Sequence, residues 1–534
     1  MDDVTYRDPA VISLLQSKYI LVKVDQDSRP DLSNRYEDYG WPATVVFNSS
    51  GGEIVRRQGY LPPKQMASML QAIIDDPSPG PSVTADSKVT YSTTSALSPQ
   101  LIAHLRASYD KQYDSEHAGW GFGHKYLDAD SVEYAMYLAA HGDKQAEQRA
   151  KDSLRAERRI LDPVWGGAYQ YSAGGDWNEP HFEKLIGVQA DTIRSYSLAY
   201  AQWHDPADLA AARATRSYVE RFLKSPDGAF YVSQDADLVQ GEHAASYFAL
   251  NNQARLALGV PRVDTHLYAR ENGWMIASLT QLYAAAADPS VLAEAERAAT
   301  WVITNRSLPN GGFKHAATDA SGPYLGDSLA MGQAFLDLYT ATGDRRWLDR
   351  AEAARRFIAL KFSKPGTPGY LTAAAPTDRA YSPHPERDEN VELARFANLL
   401  YQYSGAAADN AMSMKAMQYM ATPEIASRPM SGGVLLAQTE FTTPPIHITV
   451  VAPRANPAAQ QLFQTALKVP LTYKRIEWLD PSAGLPVRDD VHYPKLDHPA
   501  AFLCTERACS SPIFTAENLN LKIARALASN ATQP

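Results

Sequence analysis

Residues 166–200 read GGAYQYSAGGDWNEPHFEKLIGVQADTIRSYSLAY and give the strongest indication of the fold. It opens on a glycine-aromatic turn and continues into a segment whose apolar residues recur at spacings of three and four, the pattern of an amphipathic helix. Similar turns recur in both directions along the chain, each between two helical segments. They are GWGFG at 119–123, WGGAY at 165–169, DGAFY at 227–231, GGFKH at 311–315 and PGYL at 368–371.

Helical hairpins joined by such turns predict a mostly α fold. Glycine permits backbone conformations that are denied to other residues, and the neighbouring aromatic side chain can turn inward. Such hairpins fit a closed (α/α) toroid, a ring of helix pairs whose inner helices surround a pocket. A helical solenoid would also show hairpins, but its repeats would be more uniform in length. We therefore predict the closed toroid.

Composition divides the chain into four parts. Residues 1–76 alternate helical runs with strand-like ones (YILVKVD at 19–25, ATVVF and EIVRR), which predicts a thioredoxin-like α/β module. Residues 77–97 are rich in Pro, Ser and Thr without periodicity and are typical of a linker. Residues 98–412 are predicted to form the toroid. Residues 413–534 are predicted to form a small α/β subdomain in which VLLAQTE, IHITVVAP and YKRIEWL are strands.

Charge and composition exclude several classes of partner. The 534 residues carry a formal net charge of −9 with both signs interspersed, which argues against nucleic acid or an acidic membrane surface as partner. No apolar run approaches the roughly 20 residues that a membrane-spanning helix needs. The sequence as given does not begin with a basic-then-apolar signal peptide. A cytoplasmic location is therefore expected.

The chain has two cysteines, Cys504 and Cys509. Their spacing differs from the two-residue spacing of zinc and redox pairs, so a small disulfide loop, a metal site with distant ligands and free thiols all stay open. Free or structural cysteines are the favoured alternative. The histidines fall singly and no His-Glu-x-x-His run exists, so neither a metal site nor a cofactor is predicted.

The predicted thioredoxin-like module lacks the group that would make it a redox enzyme. A thioredoxin fold normally carries a Cys-x-x-C pair at the start of its first helix, where the helix N-terminus lowers the thiol pKa. Here no cysteine precedes Cys504, and the strand expected before that helix is also missing. Pro42, after Trp41, stands where such folds place a cis-proline. Without a thiolate the module cannot exchange disulfides, although it could bind a peptide or a protein partner.

Further motifs extend the pattern over nearly the whole chain. Besides residues 166–200 they are GGEIVRRQGYLPP at 51–63, FYVSQDADLVQGEH at 230–243, VDTHLYARENGWMIASL at 263–279, LGDSLAMGQAFLDLYTATGDRRWLDRA at 325–351 and AAFLCTERACSSPI at 500–513. In this order they resemble an uncharacterised family that includes spermatogenesis-associated protein 20 and its bacterial relatives. The resemblance implies a thioredoxin-like domain followed by a six-hairpin (α/α)6 toroid, similar to those of N-acylglucosamine 2-epimerase-like sugar epimerases and of glycosidases.

Two departures from the family pattern stand out. The family carries a Cys-x-x-C-His motif just before a Met, and Met1 stands at the position of that Met. A misassigned start codon, a shortened sequence and evolutionary loss are the alternatives for the missing motif. The segment SPHPERDENVELA at 382–394 differs from the family's usual Pro-Ser-Gly-Asn stretch, which speaks against a role for Glu389 and Asn390.

Polar clusters near the turns supply the candidate site residues. A sugar bound in a toroid needs a proton donor and a proton acceptor on opposite sides of its ring, which carboxylates and histidines from different hairpins can supply. The predicted catalytic residues are His181, Glu183, Asp235 and Asp237. The predicted substrate-binding residues are Trp120, His124, Trp165, Tyr169, Asp176, Trp177, Glu242, His243, Glu271, Asn272, Trp274 and His315. Several of them could instead cap helices and brace the turns, as Asp and Asn do well.

Three functions stay open. The first is a carbohydrate-active enzyme, a sugar epimerase, isomerase or glycosidase-like enzyme with a small-molecule ligand. The second is a thiol-redox protein whose Cys-x-x-C lies upstream of Met1. The third is a noncatalytic binding scaffold, and a fold alone does not separate the three. The carbohydrate-active enzyme is our prediction, with no nucleic-acid or membrane partner.

Overall fold

A computed structural model of the chain describes its helices, strands and side-chain packing. The described residues are 1, 4–36, 39–40, 42–83, 89–239, 241–242, 244–319, 321–374, 382–482, 487–488, 490–505 and 509–530.

The N-terminal module combines three helices with one β-hairpin. Its elements are α1, Pro9–Lys18; α2, Pro30–Tyr36; β1, Ala43–Phe47; β2, Glu53–Gln58; and α3, Pro63–Asp75. Strands β1 and β2 are antiparallel, with Val45 opposite Arg56. Helix α1 packs on α3 through a small apolar cluster that includes Val11 and Leu70.

The strand predicted at 19–25 is wrong. Within the described part of the chain this segment pairs with no other strand, and the side chains of Ile20 and Val22 are 95% and 72% exposed. A β-strand needs partner backbone groups, so apolar residues alone do not make one. The proposed cis bond before Pro42 involves Trp41, which lies outside the described residues.

The middle of the chain is almost entirely helical. Its helices are α4, Pro99–Gln112; α5, Ala129–Ala140; α6, Lys144–Glu157; α7, Ile186–Trp203; α8, Pro206–Tyr218; α9, Ala245–Phe248; α10, Asn252–Leu258; α11, Ala269–Ala286; α12, Pro289–Arg306; α13, Leu325–Thr342; α14, Arg345–Lys361; α15, Arg387–Ser404; α16, Ala407–Met420; α17, Pro423–Ala426; and α18, Gly432–Thr442. Short strands lie between them, namely β3, Tyr171–Ser172; β4, Pro180–His181; β5, Lys184–Leu185; β6, Ser233–Gln234; and β7, Val263–Asp264.

These helices close into a ring. The inner helices pack in the order α5, α7, α11, α13, α15 and α18, and α18 packs back on α5. Helices α6, α8, α12, α14 and α16 each cover the inner helix that precedes them, and α4 contacts α18. The predicted (α/α)6 toroid is therefore confirmed, and the solenoid is excluded because an open superhelix would not bring its last inner helix onto its first.

The strand predicted at VLLAQTE is wrong, because these residues belong to helix α18. Residues 432–438 are all buried, so the segment is apolar on every side and shows neither a helical stripe nor a strand alternation. Helix α18 is the last inner helix of the ring. The domain boundaries proposed at 76, 97 and 412 stay predictions, and helix α16 spans the last of them.

Four turns from inner to outer helices share one construction, which the turn between α15 and α16 lacks. A residue with positive φ ends the inner helix or its turn, and an Asp directly after it caps the next helix by accepting backbone N–H bonds. The four pairs are Gly142 with Asp143, His204 with Asp205, Ala287 with Asp288 and Gly343 with Asp344.

Each glycine-aromatic turn at the other end of the ring places at least one aromatic side chain in the core, as predicted, although Phe122 of the first turn is 61% exposed. Trp120, Phe230, Phe313 and Tyr370 are all buried in the main apolar cluster of the ring. Amide side chains from the following inner helix hold several of these turns. Asn272 of α11, for example, accepts from the backbone N–H of Phe230 at 2.8 Å and donates to its carbonyl at 3.1 Å.

The C-terminal subdomain is a three-stranded sheet with two helices. Its elements are β8, Ile446–Val451; α19, Pro457–Leu467; β9, Lys474–Leu479; β10, Ala500–Cys504; and α20, Ala516–Asn530. Strand β8 is central, parallel to β9 and antiparallel to β10. A disulfide joins Cys504 to Cys509, which settles the alternatives for the two cysteines in favour of the small loop. Strand β9 packs against α13 and α15 and so covers one end of the ring.

Candidate functional site

A cavity of about 230 Å³ lies on the axis of the ring. Every inner helix contributes to its wall, from Asp130 on α5 to Glu440 on α18. At one end Leu467 and the stretch from Thr472 to Lys474 close it, because the C-terminal subdomain sits there. We call this the central cavity.

Carboxylates dominate the wall of the central cavity. Asp191 on α7 and Glu392 on α15 both line it, and these two helices are opposite each other in the packing order of the ring. Burial within the ring, followed by the charge of Asp130, raises the pKa of Glu392 to about 7. Burial likewise raises the pKa of Asp191 to about 6 and that of Asp337 to about 7. Half of the Asp191 side chain remains exposed because it faces the cavity.

Two arginines in the same wall are held by fixed partners. Arg395 donates to both carboxylate oxygens of Glu440 at 3.0 Å, and also to Glu133. Arg194 lies 3.2 Å from the other oxygen of Glu133. Although burial opposes ionisation, Arg395 and Arg194 hold the pKa of Glu133 down to about 2. This network joins α5, α7, α15 and α18 behind the cavity wall.

Trp274 gives the central cavity an aromatic face. Its side chain on α11 lines the cavity, and the Arg270 guanidinium lies 4.8 Å from its ring centroid. Arg270 in turn forms an ion pair with Glu271 at 2.6 Å. The structure therefore places Trp274, one of the predicted tryptophans, in the cavity wall. Glu271 contacts Arg270, and Arg270 contacts Trp274.

Glu389 lies beside this group. Neither of its carboxylate oxygens has a hydrogen-bond partner, although both are buried. A Cβ on Gly326 would lie 3.2 Å from Glu389 Oε1 and 3.0 Å from Arg270 Cδ, so the glycine leaves room for both side chains. Burial, followed by the charge of Glu386, raises the pKa of Glu389 well above its ordinary value.

His315 connects the ring to the N-terminal module. The imidazole is fully buried, with Nδ1 2.8 Å from Asp327 Oδ1 and Nε2 2.7 Å from the Asp27 carbonyl oxygen. Both partners are acceptors, so both ring nitrogens carry protons. Burial alone would lower the pKa of His315, but Asp327 and Glu271 raise it to about 9.

The predicted catalytic residues lie together, but outside the wall of the central cavity. His181 and Glu183 stand on and beside β4 and β5, and Asp235 follows β6, which pairs with β5. Burial, followed by the charges of Asp235 and Asp27, raises the pKa of Glu183 to about 7. Burial lowers the pKa of His181 against the opposing effect of Asp237 and Asp235, and His181 Nδ1 is buried without a hydrogen-bond partner. We call this group, His181, Glu183, Asp235 and Asp237, the rim cluster.

Other predicted binding residues flank the rim cluster or face solvent. The exposed His124 stacks on Tyr171 at 4.7 Å between ring centroids, and His181 lies 4.9 Å from the same ring. Asp176 caps a turn by accepting from the backbone N–H of Asn178 at 2.8 Å. Glu242 is exposed. His243 lies outside the described residues.

The remaining predicted binding residues are packed into the core. Trp120, Trp165 and Trp177 are at most 5% exposed, and none of them lines the central cavity. Their indole N–H groups donate to Tyr109, Asn252 and His117 respectively. Tyr169 packs in the same core, and Asn272 braces the turn at Phe230. For these residues, the structure agrees with the alternative that they brace turns or fill the core.

Several cavity residues escaped the sequence reasoning. Asp191, Arg194, Asp337, Glu392 and Arg395 all lie one to three turns inside inner helices, whereas the candidates were sought in the turns. The signal that could have found these residues is the spacing of charged residues along the helices. Asp191 and Arg194, three residues apart, are the only charged residues of α7, and Glu392 and Arg395 have the same spacing on α15.

The match to known proteins begins at the N-terminus. A family model described as "Thioredox_DsbH: Protein of unknown function, DUF255" matches residues 1–75. Human spermatogenesis-associated protein 20 is 24% identical over 272 residues, which is 44% of this chain and 34% of that protein. The family resemblance is confirmed. An uncharacterized protein of Caenorhabditis elegans is 22% identical over 281 residues, 46% of this chain and 38% of its own length. The matched part thus spans little more than a third of the length of each of these two proteins.

Solved structures resemble the ring. A D-mannose isomerase superposes with a TM-score of 0.49 at 14% identity, over 64% of this chain and 96% of its own. The cellobiose 2-epimerase of Bacillus thermoamylovorans gives a TM-score of 0.47 at 11% identity, over 60% and 87% of the two chains. The family 76 α-mannanase of Bacteroides thetaiotaomicron gives 0.45 at 12% identity, over 64% and 94%.

None of the helices in the described ranges has the length and apolar character that a membrane crossing requires. Among the described side chains, no group of three or more His, Cys, Asp or Glu residues is arranged to hold a metal ion.

Proposed function

We propose that the central cavity binds a sugar and transforms it by acid–base catalysis. The observation that carries the proposal is the placement of Asp191 and Glu392 on opposite inner helices of a closed ring, both facing one cavity. A ligand on the axis would have one carboxyl group on either side. That is the arrangement that proton removal from one face and proton delivery to the other requires.

The ionisation of the two groups supports the same role. With the pKa of Asp191 at about 6 and that of Glu392 at about 7, each group exchanges protons readily near neutral pH. Glu392, the weaker acid, is suited to donate a proton. Asp191, the stronger acid and close to Arg194 at 3.6 Å, is suited to accept one. Epimerisation, isomerisation and glycoside hydrolysis all need such a pair.

Trp274 supplies the binding surface that a sugar uses. The apolar face of a pyranose packs on aromatic rings, and its hydroxyls pair with charged and amide side chains. Gln281 and Gln333 line the same wall, and the amide nitrogen of Gln281 is buried without a hydrogen-bond partner. A hydroxyl of the ligand would satisfy it.

The rim cluster is a second candidate location for the same chemistry. Glu183 has a pKa of about 7, and His181 carries an unpartnered ring nitrogen. A role for these residues stays a prediction, and the same experiment separates the two locations.

Proton exchange at carbon gives the most direct test. We would incubate the full chain with glucose, mannose, glucosamine and cellobiose in D2O and follow the C2 proton by NMR. In parallel, 4-nitrophenyl glycosides would report hydrolysis. We expect turnover of at least one substrate, reduced by about 100-fold or more in Glu392→Gln and Asp191→Asn. Glu352→Gln, on outer helix α14, is the matched control and should retain full activity.

Three results would count against the central cavity. Activity unchanged in both cavity variants would remove it as the catalytic site. Activity lost in Glu183→Gln and His181→Ala alone would move the site to the rim cluster. If no sugar or glycoside reacts or binds, the proposal fails in favour of a noncatalytic scaffold.

The thioredoxin-like module does not lend itself to thiol chemistry in this sequence. Disulfide exchange needs a thiolate, and the two cysteines present are joined to each other in the C-terminal subdomain. Binding of a protein partner by the module stays a prediction.

A further inference from the structure

The central cavity carries more negative than positive groups. The acidic side chains in its wall are Asp130, Asp191, Asp337, Glu392 and Glu440. The basic ones are Arg194, Arg395 and Lys474. The composition of the wall therefore favours a ligand that brings positive charge with it.

The three cations are already committed to partners within the protein. Arg395 is held between Glu440 and Glu133, and Arg194 faces Glu133 at 3.2 Å. Lys474 donates to the carbonyls of Leu467 and Val469 at 2.7 and 2.8 Å. Burial lowers the pKa of Lys474 to about 7, so even its charge is incomplete at neutral pH. An anionic ligand would find no cation without a partner here.

By contrast, the acidic groups that face the axis are not tightly paired with a cation. The Asp191 carboxylate lies 3.6 Å from the Arg194 guanidinium, and half of its side chain is open to the cavity. The side chain of Glu392 is exposed there, and it forms no ion pair with a described residue within 4.0 Å. Burial raises the pKa values of Asp191, Asp337 and Glu392, and the positive charge of Arg194 offsets this effect only in part.

We propose that the ligand of the central cavity is a cationic sugar, a hexosamine with a free amino group, in preference to a neutral sugar, a sugar phosphate or a uronic acid. The ammonium group would lie between Asp191 and Glu392 while the sugar ring packs on Trp274. This inference rests on the proposed function, because it assumes that the cavity takes a sugar. It goes further in naming the charge of that sugar.

Binding of a cationic sugar should release protons from the cavity. A cation placed beside partly protonated carboxyls lowers their pKa values, so protons leave when the ligand binds. A neutral sugar exerts no such effect. The number of protons released therefore reports where the charge of the ligand lies.

Calorimetry on the full chain tests both points. We would titrate glucosamine, glucose, glucose 6-phosphate and glucuronate at pH 7, in buffers of different ionisation enthalpy. Glucosamine should bind at least tenfold more tightly than glucose, the two anions should not bind, and protons should be released with glucosamine alone. Equal affinity for glucose and glucosamine, or tighter binding of an anion, would overturn this inference and leave the proposed function standing. If none of the four sugars binds, the proposed function fails and this inference fails with it.

Variants locate the selectivity. In Asp191→Asn and Glu392→Gln the preference for glucosamine over glucose should fall to within threefold, and proton release should decrease. Glu352→Gln should keep both. A preference that persists in the two cavity variants would place the ammonium group elsewhere and overturn the assignment.

Discussion

His315 shows how much one buried side chain can determine. Its imidazole touches Asp327 of the ring on one side and the backbone of Asp27 in the N-terminal module on the other. Each contact uses one N–H group, so the doubly protonated form is required for both. This contact between the ring and the module therefore depends on the protonation of His315.

The pH dependence of this contact follows from the direction of the shift. The pKa of His315 is about 9 in the folded protein against 6.5 for an ordinary histidine. Its contribution to stability is therefore complete below pH 6.5 and is lost as the pH rises through 9, on the order of 3 kcal/mol in all. Urea unfolding between pH 6 and pH 10 should show the decline. In His315→Gln it should be largely absent, whereas a variant of the exposed His498 should behave like the parent protein, and a decline that persists in His315→Gln would refute the assignment.

Glu389 and Asn272 mark what residue types alone can and cannot predict. Asn272 belongs to a polar cluster that the sequence singled out, yet its amide braces the turn at Phe230. Glu389 was set aside because its segment departs from the family pattern, yet its carboxylate is buried without a hydrogen-bond partner near Arg270. Burial and partners decide these roles, and both depend on contacts between distant parts of the chain.

At the level of single elements, the conformation of the turn between an inner and an outer helix depends on the residue that directly follows the inner helix. Ala287 has a φ of 56°, a left-handed conformation in which a side chain is strained. The equivalent position is Gly343 after α13.

Replacing Ala287 with glycine should therefore stabilise the protein, by about 1 kcal/mol. The matched control is Ala286→Gly, one residue earlier and still helical, which should destabilise by a similar amount. Thermal unfolding of the two variants should move the midpoint in opposite directions. Equal shifts of the same sign would show that backbone strain at Ala287 is not important.

The helices themselves were predictable where they have a polar face. Helix α12 is an example, because its buried residues Val291, Ala295, Ala298 and Val302 recur at spacings of three and four. The segment 432–438 shows no such spacing, because all of its residues are buried once the ring closes. The strand expected at 19–25 failed for a related reason, since pairing needs a neighbour that no local pattern reveals.

Over the chain as a whole, the N-terminal module and the ring differ in how much apolar contact they bury. The described part of the module has a two-stranded sheet and exposes Ile20 and Val22, whereas the ring surrounds one large apolar cluster. Local stability follows buried apolar contact and protected backbone hydrogen bonds.

Amide hydrogen exchange should therefore be faster in β1 and β2 than in the inner helices α11 and α13. We expect the difference to span several orders of magnitude in rate, because strands at an open sheet edge exchange through small local openings. Peptide-level exchange followed by mass spectrometry measures it directly. Equal protection in module and ring would mean that the module is as stable as the toroid.

The general architecture was accessible from the sequence, whereas the residues that line the central cavity were not. The glycine-aromatic turns and the motif order predicted the toroid. The turns also drew attention to His181, Glu183, Asp235 and Asp237, which do lie together, but in the rim cluster. The central cavity is assembled from residues on separate inner helices, and only the closure of the ring brings Asp191 and Glu392 to one space.

The contact between α4 and α18 has a consequence for the order of the chain. These are the first and last helices of the ring, and they are neighbours. A short peptide could therefore connect Thr442 to Pro99, and new termini could be opened elsewhere, for instance between α12 and α13. Such a circular permutant would keep the part of the wall that the inner helices form, whereas the end that Leu467 and the stretch from Thr472 to Lys474 close would be open.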